Sequence, residues 1–163
     1  RLPSLVEIDA DIEAIDTVAG SVTLMGIDVQ TDEMTLFRDH SAAEVIEFGL
    51  DDLAVGDRAE IRACIDGDTV VATRLERDDA DDGVTLMAPV ESVDRPSITL
   101  LGVVSTSDQD TEFQNLAKEI IDADTFFGTV EPGSLVKNEG ALSGGAILAD
   151  KMYLRECSED SCM

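Results

Sequence analysis

Residues 23–26, Thr-Leu-Met-Gly, recur as Thr-Leu-Leu-Gly at residues 99–102. Three further residues match when the two stretches are continued without a gap: Asp32 with Asp108, Thr35 with Thr111 and Phe37 with Phe113. A run of matches at one fixed offset indicates an internal repeat, and a repeat determines how the rest of the chain is interpreted. The chain is therefore predicted to contain two versions of one fold.

The repeat extends in both directions from this run. Upstream, residues 13–16 align with residues 91–94, if the turn that follows is two residues shorter in the second copy. Downstream, three more alignments follow in order: residues 55–57 with 132–134, Gly67 with Gly144, and residues 71–75 with 148–152. The predicted organisation is a first module at 5–77, an acidic linker at 78–83, a second module at 84–156 and a tail at 157–163.

Short segments with period-two alternation of apolar and polar residues predict β-strands in each copy. In the first copy the predicted strands are residues 8–15, 22–25, 27–31, 58–65 and 69–77. Asp66-Gly67 predicts a type I′ hairpin turn between the last two strands, because that turn needs positive φ angles. Gly144-Gly145 predicts the same hairpin in the second copy.

Residues 41–48 and 117–121 carry apolar residues at helical spacing, so we expect a short helix between the third and fourth strands of each module. Five strands with a helix inserted at this point are the order of an OB-type barrel. The predicted fold is thus mainly β, with two tandem five-stranded OB-like barrels. A small β-sandwich is the competing architecture, and the barrel is favoured.

The charge balance excludes one class of partner. The chain has 36 Asp and Glu against 11 Lys and Arg, for a formal net charge of -25. Nucleic acid is not an expected partner, because a phosphate backbone is bound by Lys and Arg that displace its counterions. Anionic membrane surfaces are disfavoured for the same reason. Two interpretations of the charge stay open: a saline or cation-rich environment, or simply an acidic, hydrated surface.

Five stretches of the first copy form one pattern: Glu13-x-Ile15-Asp16, Thr23-Leu24-x-Gly26, Thr35-x-Phe37, Leu53-x-Val55-Gly56-Asp57, and residues 66–76 from Asp66-Gly67 to Leu75-Glu76. This pattern resembles the bacterial family catalogued as domain of unknown function 5666. The resemblance covers most of the chain as two copies, and the second copy departs from it at residues 132–134 and 143–145. It implies OB-like β modules in an exported or lipoprotein-like protein, hence an extracytoplasmic location, and a membrane tether outside this chain stays open. It implies no catalytic residues.

The start of the chain and its cysteines bear on the same question of location. The chain opens at Arg1 without Met or an apolar targeting segment, so we expect a processed product. Cys157 and Cys162 are close enough in sequence to form a small disulfide loop in an oxidising compartment, and a pair of free tail thiols is the open alternative. Cys64 lies in a predicted strand and is expected to be a small buried hydrophobe.

The acidic linker is the strongest candidate for metal binding in the sequence. Its carboxylates suggest a weak Ca²⁺ site at Asp78, Asp79, Asp81 and Asp82. The EF-hand spacing fails, because Ala80 and Pro89 occupy the third and twelfth ligand positions. A solvated charged linker is therefore favoured, and no cofactor is expected. The acidic pairs Asp66 with Asp68 and Asp122 with Asp124 are interpreted as turn residues.

Catalytic motifs are not found. His40 is the one histidine, and no Ser or Cys stands in a nucleophile-elbow context to be activated by it. Asp39 or Ser41 is expected to cap the predicted helix that follows. The glycines of residues 140–145 lack the Lys-Ser or Lys-Thr of a phosphate-binding loop. No residue is assigned a catalytic role.

Two functional hypotheses follow. The first is a non-catalytic exported module with a structural or ligand-binding role, its ligand being a protein, a glycan or a cation. The second is a carboxylate-based hydrolase acting on a neutral or cationic substrate. A cleft with two carboxylates within reach of each other, one with a raised pKa, would favour the enzyme.

Overall fold

The computed structural model describes residues 4–156 of the chain. The first module contains β1 (Ser4–Asp11), β2 (Ala14–Asp16), β3 (Ser21–Leu24), β4 (Ile27–Gln30), β5 (Leu36–Asp39), a 3₁₀ helix (Leu50–Asp52), β6 (Arg58–Asp66) and β7 (Thr69–Asp78). The second contains β8 (Val84–Pro89), β9 (Ser92–Asp94), β10 (Ser97–Leu100), β11 (Val103–Thr106), β12 (Glu112–Gln114), β13 (Ile120–Ile121), α1 (Ala123–Thr129), β14 (Leu135–Ser143) and β15 (Ala146–Arg155).

All the strands belong to one mixed, open sheet. Its order is β2-β3-β4-β7-β6-β1-β8-β14-β15-β11-β10-β9, with β5 beside β7 and with β12 and β13 beside β15. The order read outward from β1 in the first module matches the order read outward from β8 in the second. The predicted β-rich class is therefore confirmed. Within residues 4–156, no helix is long and apolar enough to cross a membrane.

The repeated Thr-Leu-x-Gly sequence forms the same hairpin in both modules. Met25 and Gly26 have φ angles of 51° and 72°, and Leu101 and Gly102 have φ angles of 49° and 77°. Each pair fills a two-residue turn, since Leu24 pairs with Ile27 and Leu100 with Val103. A type I′ turn requires positive φ at both positions, and glycine adopts it without steric cost. This turn explains why both copies have a glycine at the same position.

The matched threonines fasten the loop after β4 and β11 to the strand beside it. The hydroxyl of Thr35 donates a hydrogen bond of 2.7 Å to the carbonyl oxygen of Ala72. Thr111 makes the equivalent bond, also 2.7 Å, to Ala149. Both bonds are buried, where an unmade hydrogen bond is costly. The residues that the two copies share therefore maintain the scaffold.

The two predicted β-hairpins between the last strands of each module are present, with one difference in turn type. Ser143 pairs with Ala146, and Gly144 and Gly145 both have positive φ, as a type I′ turn requires. In the first module Asp66 pairs with Thr69, so the turn residues are Gly67 and Asp68, and of these only Gly67 has positive φ. Glycine at the first turn position is the pattern of a type II′ turn. The predicted type I′ turn at Asp66-Gly67 is therefore wrong. The turn lies one residue later, at Gly67-Asp68, and has the type II′ pattern.

The helices predicted at residues 41–48 and 117–121 do not form. Residues 41–48 make turns and bends, and the short 3₁₀ helix Leu50–Asp52 follows them. In the second module residues 120–121 are a strand, and α1 begins only at Ala123. Side-chain oxygens accept backbone N–H groups within these segments: Asp39 from Ser41 and Val45, and Asn115 from Ala117 and Glu119. This local bonding competes with helix formation.

Cys64 differs from its predicted role. It is half-buried and disulfide-bonded, so it does not serve as a small buried hydrophobe. Cys157 and Cys162, for which a disulfide was considered, lie outside the described residues.

The two modules are joined by antiparallel pairing of their first strands. Glu7 pairs with Met87, Ile8 with Leu86 and Asp9 with Thr85. Ile8 and Leu86 are both fully buried, and they occupy the same position in the two copies. Each module thus presents the same strand to the other, and the apolar core continues across the join.

The second module carries two polar residues in its core where the first has apolar ones. Asn138 and Ser105 are fully buried, and their counterparts by the repeat alignment are Ile61 and Val29. Asn138 Oδ1 and Ser105 Oγ have no hydrogen-bond partner among the described residues. A buried polar atom without a partner costs about 1–3 kcal/mol.

Ser105→Val, which copies the first module, is expected to raise the free energy of unfolding by about 1–2 kcal/mol. Urea denaturation of the full chain measures this change. Ser105→Ala is the control, because it removes the hydroxyl without filling its volume and should recover only part of the gain. Destabilisation by Ser105→Val would contradict the assignment of an unpaired hydroxyl.

Candidate metal centre

Acidic side chains lie opposite one another across three strands of the first module. Asp9 on β1 pairs with Glu60 on β6, and Glu60 pairs with Glu76 on β7. Like charges directly opposite on neighbouring strands repel and destabilise a sheet. Such an arrangement needs a compensating positive charge from the protein or from the solution.

One end of this acidic row forms a cluster of three ligand-type residues, His40, Glu76 and Asp78, here named the HED cluster. Glu76 and Asp78 are two residues apart on β7, so their side chains lie on one face of the sheet. His40 follows β5, and its backbone N–H donates a 2.7 Å hydrogen bond to the carbonyl of Arg77. Nδ1 of His40 lies 3.4 Å from Oε2 of Glu76. One ligand atom from each of the three residues lies within 4.8 Å of the others.

The three residues of the HED cluster differ in exposure. Glu76 is buried, Asp78 is half-buried and His40 is exposed. The second carboxylate oxygen of Glu76, Oε1, lies 3.2 Å from Nε of Arg74. This contact orients the carboxylate and leaves Oε2 facing His40. An outer partner of this kind is a common feature of metal sites.

Burial and neighbouring negative charges raise the pKa values of two carboxyl groups, those of Asp78 and Glu60. Burial raises the pKa of Asp78, and the negative charges of Asp9 and Glu76 add to the effect. Burial also raises the pKa of Glu60, with further contributions from the charges of Asp78 and Asp9. Neither carboxylate has a hydrogen bond or ion pair with a described residue. A bound cation would relieve this repulsion and favour the ionised forms.

A cavity of about 370 Å³ opens beside the HED cluster. Its wall contains His40, Asp78, Asp9, Arg58 and the linker residues 79–81. Because the cavity borders two of the three cluster residues, an ion held there would remain accessible from solution. The site therefore has room for water or for a small ligand as additional ligands of the ion.

Arg58 is the buried cation that holds the linker against this face. Its side chain is 5% exposed, and its Nε lies 2.8 Å from Oδ1 of Asp9. Nη1 also lies 3.6 Å from Oδ1 of Asp11, and it donates a 3.4 Å hydrogen bond to the carbonyl of Asp81. Arg58 therefore neutralises Asp9, at the β1 end of the acidic row. At the β7 end, Glu76 is next to Arg74 instead.

A second buried ion pair positions the segment that carries His40. Nη2 of Arg77 lies 2.6 Å from Oδ2 of Asp39, and the Asp39 side chain is fully buried. The Arg77 guanidinium also lies 4.8 Å from the centre of the Phe48 ring. Asp39 accepts hydrogen bonds from Ser41 and Val45 as well. Residues 40–48 are thereby fixed over the end of β7.

This ion pair predicts acid sensitivity. The hydrogen bond from Arg77 holds the pKa of Asp39 far below its usual value, and outweighs the opposing effect of burial. A depressed pKa contributes stability above the unfolded-state pKa of about 3.9, and that stability is lost as the pH falls below it. Asp39→Asn is expected to lower the Tm at pH 7 by about 5 °C or more. It should also flatten the fall in Tm below about pH 4.

Thermal melts of wild type and Asp39→Asn between neutral pH and pH 2 measure both effects. Asp51→Asn is the matched control, because Asp51 is exposed on the 3₁₀ helix and carries the same charge. Parallel pH profiles for wild type and Asp39→Asn would contradict the expected role of Asp39.

The acidic linker does not gather its four carboxylates around one point. Asp78 belongs to the HED cluster, while Asp79 accepts a 2.8 Å hydrogen bond from the backbone N–H of Ala42. The side chain of Asp81 accepts a bond from the backbone N–H of Asp82. Asp82 lines a neighbouring groove of about 330 Å³ between the modules. Asp79 and Asp81 thus fasten the chain locally, while Asp78 belongs to the HED cluster and Asp82 lines the groove.

The other acidic pairs considered from the sequence lie elsewhere. Asp66 and Asp68 flank the tip of the β6–β7 hairpin, and Asp122 caps α1 by accepting a 2.8 Å hydrogen bond from Thr125. Sequence reasoning missed Glu76 as a member of a site. The available signal was the spacing of Glu76 and Asp78 on one strand, which places both on one face.

The HED cluster has no counterpart in the second module. The repeat alignment replaces four acidic residues of this face with apolar or basic ones: Asp9 with Met87, Glu60 with Lys137, Glu76 with Tyr153 and Asp78 with Arg155. The Tyr153 hydroxyl donates a hydrogen bond to Glu112, and burial together with this contact raises its pKa to about 12. The two modules share a scaffold, and on this face they differ in charge.

Comparison with known families identifies the repeat. The chain matches the family described as domain of unknown function (DUF5666) twice, over residues 10–76 and 88–152. No curated protein and no solved structure matches the chain. The two matched regions contain the repeat described above, and the first includes His40 and Glu76.

Proposed function

Because the chain belongs to the DUF5666 family as two tandem copies, we propose that it is a non-catalytic binding protein whose first module holds a divalent cation. Of the three ligand classes expected from the sequence, a cation is favoured over a protein or a glycan. The observation that carries the proposal is the HED cluster, in which three ligand atoms lie within 4.8 Å of one another. The acidic row supports it because its carboxylates lie opposite one another, and so does the raised pKa of Asp78, which is caused by burial and by the charges of Asp9 and Glu76.

We propose that each module is a distorted OB-type barrel. In the first module, only Ile12 and Glu13 separate β1 from β2, and the two strands pair with β6 and β3 on opposite sides. The parallel pairing of β4 with β7 supports the same topology. In an OB fold one bent first strand joins both halves of the barrel in this way.

We propose an extracytoplasmic location. The disulfide bond of Cys64 supports it, because stable disulfides form in oxidising compartments. The test is alkylation of the protein as it is released from its native compartment, followed by peptide mapping of Cys64. A Cys64 thiol that is fully alkylated before any reduction would overturn the proposed location.

Thermal melts of the full chain in Na⁺, Mg²⁺, Ca²⁺ and Zn²⁺ at matched ionic strength test the cation proposal. A specific site is expected to give a saturable rise in Tm with at least one divalent cation, corresponding to about 2.7 kcal/mol at 100 times the Kd. Equal responses to all salts would reflect only screening of the net charge, and would overturn the proposal.

Glu76→Gln and Asp78→Asn are expected to abolish the saturable rise. Asp51→Asn is the control for the loss of one negative charge, since Asp51 is exposed and is not one of the three cluster residues. If the two cluster variants retain the full cation response, then the cation binds elsewhere and the site assignment is wrong.

A second candidate function is a hydrolase that uses these carboxylates. It is favoured by the cleft itself: Glu76 and Asp78 lie within reach of each other, and the pKa of Asp78 is raised. Hydrolysis of a panel of neutral and cationic ester, amide and glycoside substrates tests it. Activity that disappears in Asp78→Asn, and persists in Asp51→Asn, would replace the non-catalytic proposal.

A further inference from the structure

We infer that the HED cluster selects a first-row transition-metal ion of the Zn²⁺ class over Ca²⁺ and Mg²⁺. This inference rests on the proposed cation-binding function and specifies its ligand. It follows from the donor atoms of the cluster, from their number and from their mobility.

The donor atoms are one imidazole nitrogen and two carboxylates. Imidazole is a preferred ligand of Zn²⁺, Ni²⁺ and Cu²⁺, whereas Ca²⁺ and Mg²⁺ take oxygen ligands. Nδ1 of His40 already lies 3.4 Å from Oε2 of Glu76. Two ligands of a tetrahedral Zn²⁺ at 2.0–2.1 Å from the metal are about 3.4 Å apart. This edge of the site therefore has the spacing that zinc requires.

The number of free oxygens is too small for calcium. Ca²⁺ takes about 6–8 oxygen ligands. Glu76 and Asp78 supply four carboxylate oxygens, and Oε1 of Glu76 is already 3.2 Å from Nε of Arg74. The nearby linker carboxylate of Asp79 accepts the backbone N–H of Ala42. Three protein ligands with solvent in the remaining position are typical of accessible zinc sites.

The three ligand atoms lie within 4.8 Å of one another, and they must come to within about 3.4 Å of one another to contact one zinc ion. His40 supplies the freedom to do so, because 53% of its side chain is exposed while its backbone is tied to Arg77. Glu76 stays fixed by Arg74. The site therefore combines a fixed carboxylate with a histidine that closes onto the metal.

Isothermal titration of the full chain with ZnCl₂, CaCl₂ and MgCl₂, at one neutral pH and matched ionic strength, tests this selectivity. The Zn²⁺ affinity is expected to exceed the Ca²⁺ affinity by about 100-fold or more. His40→Gln should weaken Zn²⁺ binding by about tenfold or more and leave Ca²⁺ binding within about twofold.

The chain has one histidine, so a single set of imidazole NMR resonances reports the site directly. These resonances are expected to shift as Zn²⁺ is added in a 1:1 ratio, and the shift should be the same in Asp51→Asn as in wild type. Zn²⁺ that binds a thiol elsewhere in the chain would leave the imidazole unaffected, and that result would overturn the inference.

Failure of the inference is distinguishable from failure of the proposed function. If Ca²⁺ or Mg²⁺ binds as tightly as Zn²⁺ and depends on Asp78, then the cation site stands and the transition-metal selectivity is wrong. If no divalent cation binds in a manner that depends on Glu76 or Asp78, then the proposed function is wrong and the inference falls with it.

Discussion

Arg58→Ala is expected to lower the free energy of unfolding by about 3–5 kcal/mol, the usual cost of removing one partner of a buried ion pair. Arg58 is 5% exposed and contacts both Asp9 and Asp11. Without it, these carboxylates would remain beside Glu60 and Asp78, whose pKa values are already raised by burial and by neighbouring charge. Urea denaturation at moderate salt measures the loss.

Arg62→Ala is the matched control for the charge and for the strand. Arg62 lies four residues further along β6, is exposed and faces Glu7. Surface charges of this kind contribute about 1 kcal/mol or less. Similar losses for the two variants would show that net charge matters and that the buried contacts of Arg58 do not.

Gly140→Ala is expected to destabilise the second module by about 3 kcal/mol or more, because the added methyl group has no space. A Cβ atom at Gly140 would lie 2.0 Å from the carbonyl oxygen of Leu148 and 2.9 Å from the Cα of Ala149. Both contacts are with backbone, so β14 and β15 would have to separate. The register shift between Glu139 and Gly140 lies at this point, where the two strands approach closely.

Gly128→Ala in α1 is the control substitution. Nothing lies within 4 Å of a Cβ atom at Gly128, and its position in a helix favours alanine. We expect Gly128→Ala to stabilise the chain by up to about 1 kcal/mol. Equal guanidinium midpoints for the two variants would contradict the close approach at Gly140. Guanidinium denaturation followed by circular dichroism compares them.

Much of the fold was predictable because the repeat reports on backbone geometry. The matched glycines, Gly26 and Gly102, occupy positive-φ turn positions, and the matched threonines make equivalent buried hydrogen bonds. These requirements are local, so the same residue types recur at the same positions of the two copies. The predicted helix at residues 41–48 was wrong. The Asp39 side chain accepts backbone N–H groups of this segment, and Asp39 is itself held by Arg77 from another strand. Apolar spacing alone does not reveal such a contact.

The candidate site was less predictable, for a different reason. His40 and Asp78 were both noticed in the sequence, one as an isolated histidine and the other as part of a linker. Only the pairing of β5 with β7 brings them together, through the parallel alignment of Asp39 with Arg77. Strand pairing between distant segments cannot be read from either segment separately. The HED cluster therefore joins the segment that follows β5 to strand β7.

The pairing of β1 with β8 carries a further consequence for how the chain unfolds. Because Ile8 meets its own repeat counterpart, Leu86, the contact has the symmetry of an isologous dimer formed within one polypeptide. Each strand covers the exposed edge that the other would present to neighbouring molecules. A covalent tether makes this association independent of protein concentration. The two modules should therefore denature as one cooperative unit, with a midpoint that does not change on dilution.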